Sequence, residues 1–172
     1  MPLILQVLIR NCKNTLRIVD VEMSKQVTDH AAELLTQCHN IHTLHIFHTS
    51  ITVEGHSALL FKLKQLKVLV RGGFLCEALE YMSDNCKTAM LPQLGLEEFW
   101  ASEEYYFHSD YQMELVARMC PKMRKMMFQF STEVMTNLLT LAQFSVLTEL
   151  HLWGGEFYTD RNENISTGFH LA

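Results

Sequence analysis

One phrase recurs six times along the chain: an apolar residue, two variable residues, a second apolar residue, one variable residue and usually a third apolar one. It reads Leu16-Arg-Ile-Val19-Asp-Val21, Ile41-His-Thr-Leu44-His-Ile46 and Leu66-Lys-Val-Leu69-Val-Arg71 in the first half. In the second half it reads Leu96-Glu-Glu-Phe99-Trp-Ala101, Met123-Arg-Lys-Met126-Met-Phe128 and Leu147-Thr-Glu-Leu150-His-Leu152. The copies start at 16, 41, 66, 96, 123 and 147, a mean interval of about 26 residues. A fixed period of this size marks an array of small units, none of which can bury its apolar face alone.

Helical periodicity fills the intervals. Ala31, Leu34, Leu35 and Cys38 follow the one-face rule, as do Leu75, Leu79, Met82 and Cys86, and as do Tyr111, Leu115, Val116, Met119 and Cys120. Weaker helical stretches run over 57–63 and 135–144. Each unit is therefore a strand, a turn and a helix. Stacked units make one parallel sheet with right-handed helical crossovers. The sequence predicts an α/β solenoid with its helices on the convex side. Residues 1–155 form about six repeats preceded by a partial one, and 156–172, without either periodicity, form an irregular tail. Leu3 to Ile9 reads as a short buried helix after Pro2, apolar enough to need cover on most sides. That need reads as the mark of a chain cut from something longer.

The units resemble the cysteine-containing leucine-rich repeats of F-box/leucine-rich-repeat proteins. The best match is Cys12-Lys-Asn-Thr-Leu16-Arg-Ile-Val19-Asp-Val21 followed by Val27-Thr-Asp29 and a helix ending in Cys38. Ile51-Thr52-Val-Glu54-Gly55 is similar to the same helix start, and Cys120-Pro-Lys-Met123 repeats the helix-ending Cys. Where the family often has Asn or Cys after the strand, this chain has Ser24, Thr49 and Ser131, whose hydroxyls can still bond to backbone. The resemblance covers roughly residues 3–155. It implies a leucine-rich-repeat horseshoe with a parallel concave sheet. It also implies the substrate-binding region of an F-box-like ubiquitin-ligase adaptor, with ligase subunits reached only through an N-terminal region that these repeats do not include. The alternative is a stand-alone leucine-rich-repeat scaffold, or a truncated splice form, without a ligase connection.

Composition narrows the function. The 172 residues carry 14 Lys+Arg against 19 Asp+Glu, a formal charge of −5, which disfavours non-specific nucleic-acid binding. The apolar fraction is 48%, with only 7 Gly and 3 Pro, which excludes a disordered or collagen-like chain. No apolar run is long enough to span a membrane, and the first residues lack the basic region and cleavage site of a signal peptide. Without that signal the sequon Asn164-Ile165-Ser166 reads as chance. Five cysteines are too few and odd in number for a disulfide scaffold. A reducing compartment, cytoplasmic or nuclear, is expected.

His39, His42, His45 and His48 recur at every third position, but residues three apart in a strand face opposite sides and cannot converge on one metal. They read as surface histidines, and neither a metal nor a cofactor is expected. Cys12, Cys38, Cys86 and Cys120 read as helix-ending core thiols, forming a buried ladder if the units stack. No GxSxG, P-loop, GxGxxG or HExxH motif occurs, so no enzyme is expected and no catalytic residue is assigned. Glu97-Glu98 and Glu103-Glu104, as adjacent pairs, read as solvated rim. The sharper signal lies between the core positions, on the concave side. His45, Phe47, Trp100, Met127, His151 and Trp153 make an aromatic and Met stripe that suits a protein ligand. The competing explanation is that these side chains fold over one another or over the tail.

Overall fold

The structure, a computed structural model, describes residues 3–70, 74–87, 90–101, 107, 109–129, 138–153 and 169–171. Six strands, β1 (Ile18–Asp20), β2 (Thr43–His45), β3 (Val68–Val70), β4 (Glu98–Trp100), β5 (Lys125–Gln129) and β6 (Glu149–Trp153), lie parallel and in chain order in one open sheet. A seventh, β7 (Phe169–Leu171), joins β6 antiparallel. The expected irregular stretch 156–172 thus contributes a strand at its far end.

The helices are α1 (Leu3–Cys12), α2 (Asp29–Leu35), α3 (Val53–Lys62), α4 (Leu75–Asp84) and α5 (Asp110–Met119), followed by a 3-10 turn at Leu138–Gln143. Each packs on the next in chain order. The expected helix over 57–63 begins four residues earlier, at Val53, directly after the Thr52 N-cap. That over 135–144 is the 3-10 turn, residues 135–137 lying outside the described residues. The arrangement is α/β, with a single open parallel sheet and helices stacked along it, and is compatible with a solenoid.

Register explains how one phrase builds this. The middle apolar positions Val19, Leu44, Leu69, Phe99, Met126 and Leu150 are Cα partners across the sheet and all are buried. Their side chains meet Ala31, Leu35, Leu59, Leu79 and Val116 from the helices in one continuous core. Strand residues on either side of this row alternate outward, because successive strand side chains point to opposite faces. A ladder of carbonyls ties the units together. Arg17 O accepts from His42 N at 2.7 Å, His42 O from Lys67 N at 2.9 Å, Lys67 O from Glu97 N at 2.8 Å, and Arg124 O from Thr148 N at 2.8 Å. Side chains repeat the period: Asn40 Nδ2 donates to Asn14 O at 2.6 Å and Ser50 Oγ to Lys25 O at 2.7 Å.

The helix starts are stapled sideways. Asp29, first residue of α2, accepts from Thr52 N at 2.7 Å and Thr52 Oγ1 at 2.8 Å, and Thr52 caps α3. Room for that carboxylate comes from Gly55, where a Cβ would overlap Asp29 Oδ1 and stand 2.6 Å from Ile51 Cγ2. The turns after β1 and β2 repeat as well: Met23 (φ 58°) and His48 (φ 51°) occupy the left-handed region at equivalent positions. Ser24 Oγ donates to Glu22 O at 3.2 Å and Thr49 Oγ1 to Ile46 O at 3.0 Å, so these hydroxyls do bond to backbone; Ser131 lies outside the described residues.

Three expectations are corrected. The first helix forms but is not buried: Ile9 is covered, whereas Ile4 is 77% exposed and Val7 and Leu8 are close to half-exposed. Its apolar residues surround the helix, and α2 covers only one side. Tyr111, in the first turn of α5, leaves the buried stripe and is half-exposed. The cysteine ladder is partial: Cys38 and Cys120 are fully buried, while Cys12 and Cys86 are half-buried. Burial pushes the Cys38 thiol up and the Cys120 thiol up to about 12, so both stay protonated. Cys76 on α4 is a further buried thiol. Met119, Met123 and Met126 are core and Met127 lies outside it, as their register requires.

Candidate functional site: the exposed face of the sheet

The face of the sheet opposite the core is ruled into rows by the register. One row is Ile18, Thr43, Val68, Glu98, Lys125 and Glu149; two residues further along lies Asp20, His45, Val70, Trp100, Met127 and His151. Four of the six residues singled out from sequence, His45, Trp100, Met127 and His151, stand in this second row. All four are half-buried. Phe47 lies past the end of β2, its ring centroid 3.9 Å from that of its neighbour His48. Trp153 is the register partner of Gln129 at the end of β6, and its side chain lies outside the described residues.

The second row splits in two. Toward β6, Trp100 and His151 lean over Met127 from the flanking strands, rings 6.2 Å apart and 27° from parallel. These aromatics do fold toward one another, as the competing explanation requires, yet both remain part-exposed. A polar lattice from the first row holds them. Glu149 Oε1 lies 2.8 Å from His151 Nε2, and Glu98 Oε2 accepts from Trp100 Nε1 at 3.4 Å. Lys125 Nζ sits between the two acids, 3.3 Å from Glu149 and 3.9 Å from Glu98. Bonds from His151 and then Lys125 hold the Glu149 carboxyl below the usual carboxylate range. At the rim, a 2.7 Å bond from Lys67 lowers that of Glu97 in the same way. Glu97 and Glu98 therefore face separate partners, and 103–104 lie outside the described residues.

Toward β1 the character changes. Asp20 stands opposite His45 in register, Glu22 follows two residues on, and His45 Nδ1 lies 3.6 Å from Glu22 Oε1. Among the described residues of these rows and Glu22 beside them, four carboxylates (Asp20, Glu22, Glu98, Glu149) face one lysine, Lys125. The face is acidic, with an aromatic and sulfur-bearing patch at its centre.

Sequence reasoning missed Glu98, Lys125 and Glu149. They were findable, since a strand period of two places them on the stripe's face. No family model matches the sequence, and no curated protein matches it. Among the described residues, no helix is long and apolar enough to cross a membrane.

Proposed function

We propose that this chain is a protein-recognition module, a leucine-rich-repeat solenoid that holds a partner segment on the exposed face of its sheet and has no catalysis of its own. The observation that carries the reading is the row Trp100, Met127 and His151 on a parallel sheet whose second face no described helix covers. All-parallel sheets are ordinarily covered on both faces, and here the second face presents half-exposed aromatic and Met side chains. Such side chains, set among polar groups already held in place, are the composition of an interface centre. The acidic surround favours a partner segment that is basic with an apolar or aromatic anchor, because complementary charge steers encounter and fixes register.

The resemblance of residues 3–155 to F-box/leucine-rich-repeat proteins supports the finer reading. In it, the chain is the substrate-binding region of a ubiquitin-ligase adaptor, cytoplasmic or nuclear, whose ligase subunits dock through an F-box ahead of the repeats. Affinity capture from cells, with the protein as the cell expresses it and with its Trp100→Ala/Trp153→Ala variant, tests both levels. A protein captured by the wild type and lost by the variant, together with ligase subunits, is the expected result. Unchanged capture by the variant would overturn recognition through this face. Loss of the partner with no ligase subunit in either capture would overturn the adaptor reading alone.

A further inference from the structure

We propose that Asp20, Glu22 and His45 form a binding site for a divalent transition-metal ion, with Zn2+ the best match, at the β1–β2 end of the exposed face. The site is made by register. Asp20 ends β1 and has His45 as its Cα partner on the next strand, while Glu22 lies in the turn two residues on, which brings its carboxylate back to His45. A carboxylate oxygen from each acid and a ring nitrogen of His45 all lie within 4.8 Å of one another. Two carboxylates held this close repel, and a cation between them converts that repulsion into attraction.

The geometry suits a small ion. Zinc binds carboxylate oxygen and imidazole nitrogen at about 2.0–2.2 Å, so two ligand atoms of a tetrahedral site stand about 3.4 Å apart. His45 Nδ1 and Glu22 Oε1 are already 3.6 Å apart. For that pair the remaining contraction is small, and the ligand oxygen of Asp20, the most exposed of the three, closes from within 4.8 Å. Asp20 Oδ1 accepts from Glu22 N at 3.1 Å, which holds that carboxylate beside the Glu22 backbone. The mixed donor set decides the class: imidazole selects Zn, Ni, Cu or Fe, whereas Ca2+ and Mg2+ take oxygen ligands throughout. Three protein ligands leave at least one coordination position open to water or to a side chain from outside the chain. The histidine series fails as a ligand set because its members diverge; His45 acquires ligand partners only from the neighbouring unit, through Asp20, 25 positions earlier and in register, and Glu22 just beyond it.

Isothermal titration of the full chain with zinc chloride alone tests the site, with Co2+ absorption reporting coordination. One ion per chain is expected. His45→Ala, and separately Asp20→Asn, should weaken binding by about tenfold or more, since even outer-shell changes at metal sites reach that size. His42→Ala should leave binding unchanged. The three ligands are at least partly exposed, so circular dichroism should show every variant folded; should His45→Ala unfold, Asp20→Asn and Glu22→Gln decide the matter. Absence of zinc binding by the wild type, equal affinity in the ligand variants, or full displacement by equimolar Mg2+ would overturn the proposal.

Discussion

Replacing Gly55 by Ala isolates the staple between helix starts. By helix propensity alone, Ala at this third position of α3 should stabilise the protein by up to about 1 kcal/mol. The structure reverses the sign. The new Cβ would overlap Asp29 Oδ1 and crowd Ile51 Cγ2 at 2.6 Å. Asp29 must then give up its bonds from Thr52 N (2.7 Å) and Thr52 Oγ1 (2.8 Å). Hydrogen bonds to a charged group contribute about 1.5–3 kcal/mol each, but this carboxylate is half-exposed and water replaces much of the loss, leaving about 1–2 kcal/mol in all. Ile51 is 3% exposed, and shifting it adds about 1 kcal/mol of overpacking. After the propensity gain is subtracted, the net effect is a loss of about 1–2 kcal/mol. For a chain of this length that is a fall in Tm of about 2–8 °C. Urea unfolding followed by circular dichroism measures it, and the same substitution in an Asp29→Ala background completes a double-mutant cycle. There the bonds are already gone, so Gly55→Ala should destabilise by at least about 1 kcal/mol less. A stabilising Gly55→Ala in the wild type, or an equal effect in both backgrounds, would refute the staple.

Three further outcomes follow from the same structure. His56 is 3% exposed, its Nδ1 lies 2.8 Å from Thr52 O, and its ring meets Phe74 edge-on at 5.3 Å. A carbonyl only accepts, so Nδ1 carries the proton of the neutral ring. Burial lowers its pKa, opposed by the Thr52 bond and by Asp29. The unfolded state therefore binds the proton first, and stability should fall as pH drops below about 6.5, with the His56→Gln protein showing a flatter profile in chemical denaturation. Met23 is 70% exposed at φ 58°, so Met23→Gly should raise stability by about 0.5–1 kcal/mol in the same assay, with little packing lost. In native thiol labelling, Cys12 and Cys86 should react first, and Cys38, Cys76 and Cys120 only on unfolding.

The architecture was legible where one pattern repeats. The six middle apolar positions predicted from the phrase are the six that pair across the sheet and are buried, because a strand with one covered face admits only one register. Features set by what lies beside an element were not legible. The composition of α1 says that it has apolar surface to hide, not that α2 hides a single side of it. The triplet Phe169–Leu171 has no periodicity of its own and becomes a strand only against the edge of β6. The Thr28-Asp29 helix start is readable as a cap, but its bond to Thr52 crosses between units. The site divides the same way. Alternation placed Trp100, Met127 and His151 in one row, whereas the approach of Asp20 and Glu22 to His45 arises across strands, where reading along the chain compares the wrong residues.

The central claim is that the exposed sheet face, and not the helical side, is where a partner binds. The most direct test is the affinity of a captured partner, measured by calorimetry, for the wild type, for Trp100→Ala on the sheet and for Phe61→Ala on α3. Phe61 is 50% exposed and is the helical side's counterpart as an exposed aromatic. Loss of a central aromatic contact of about 2 kcal/mol predicts a roughly thirtyfold weaker Kd for Trp100→Ala and an unchanged Kd for Phe61→Ala. The reverse pattern, with Phe61→Ala weakened and Trp100→Ala bound as tightly as the wild type, would contradict the account.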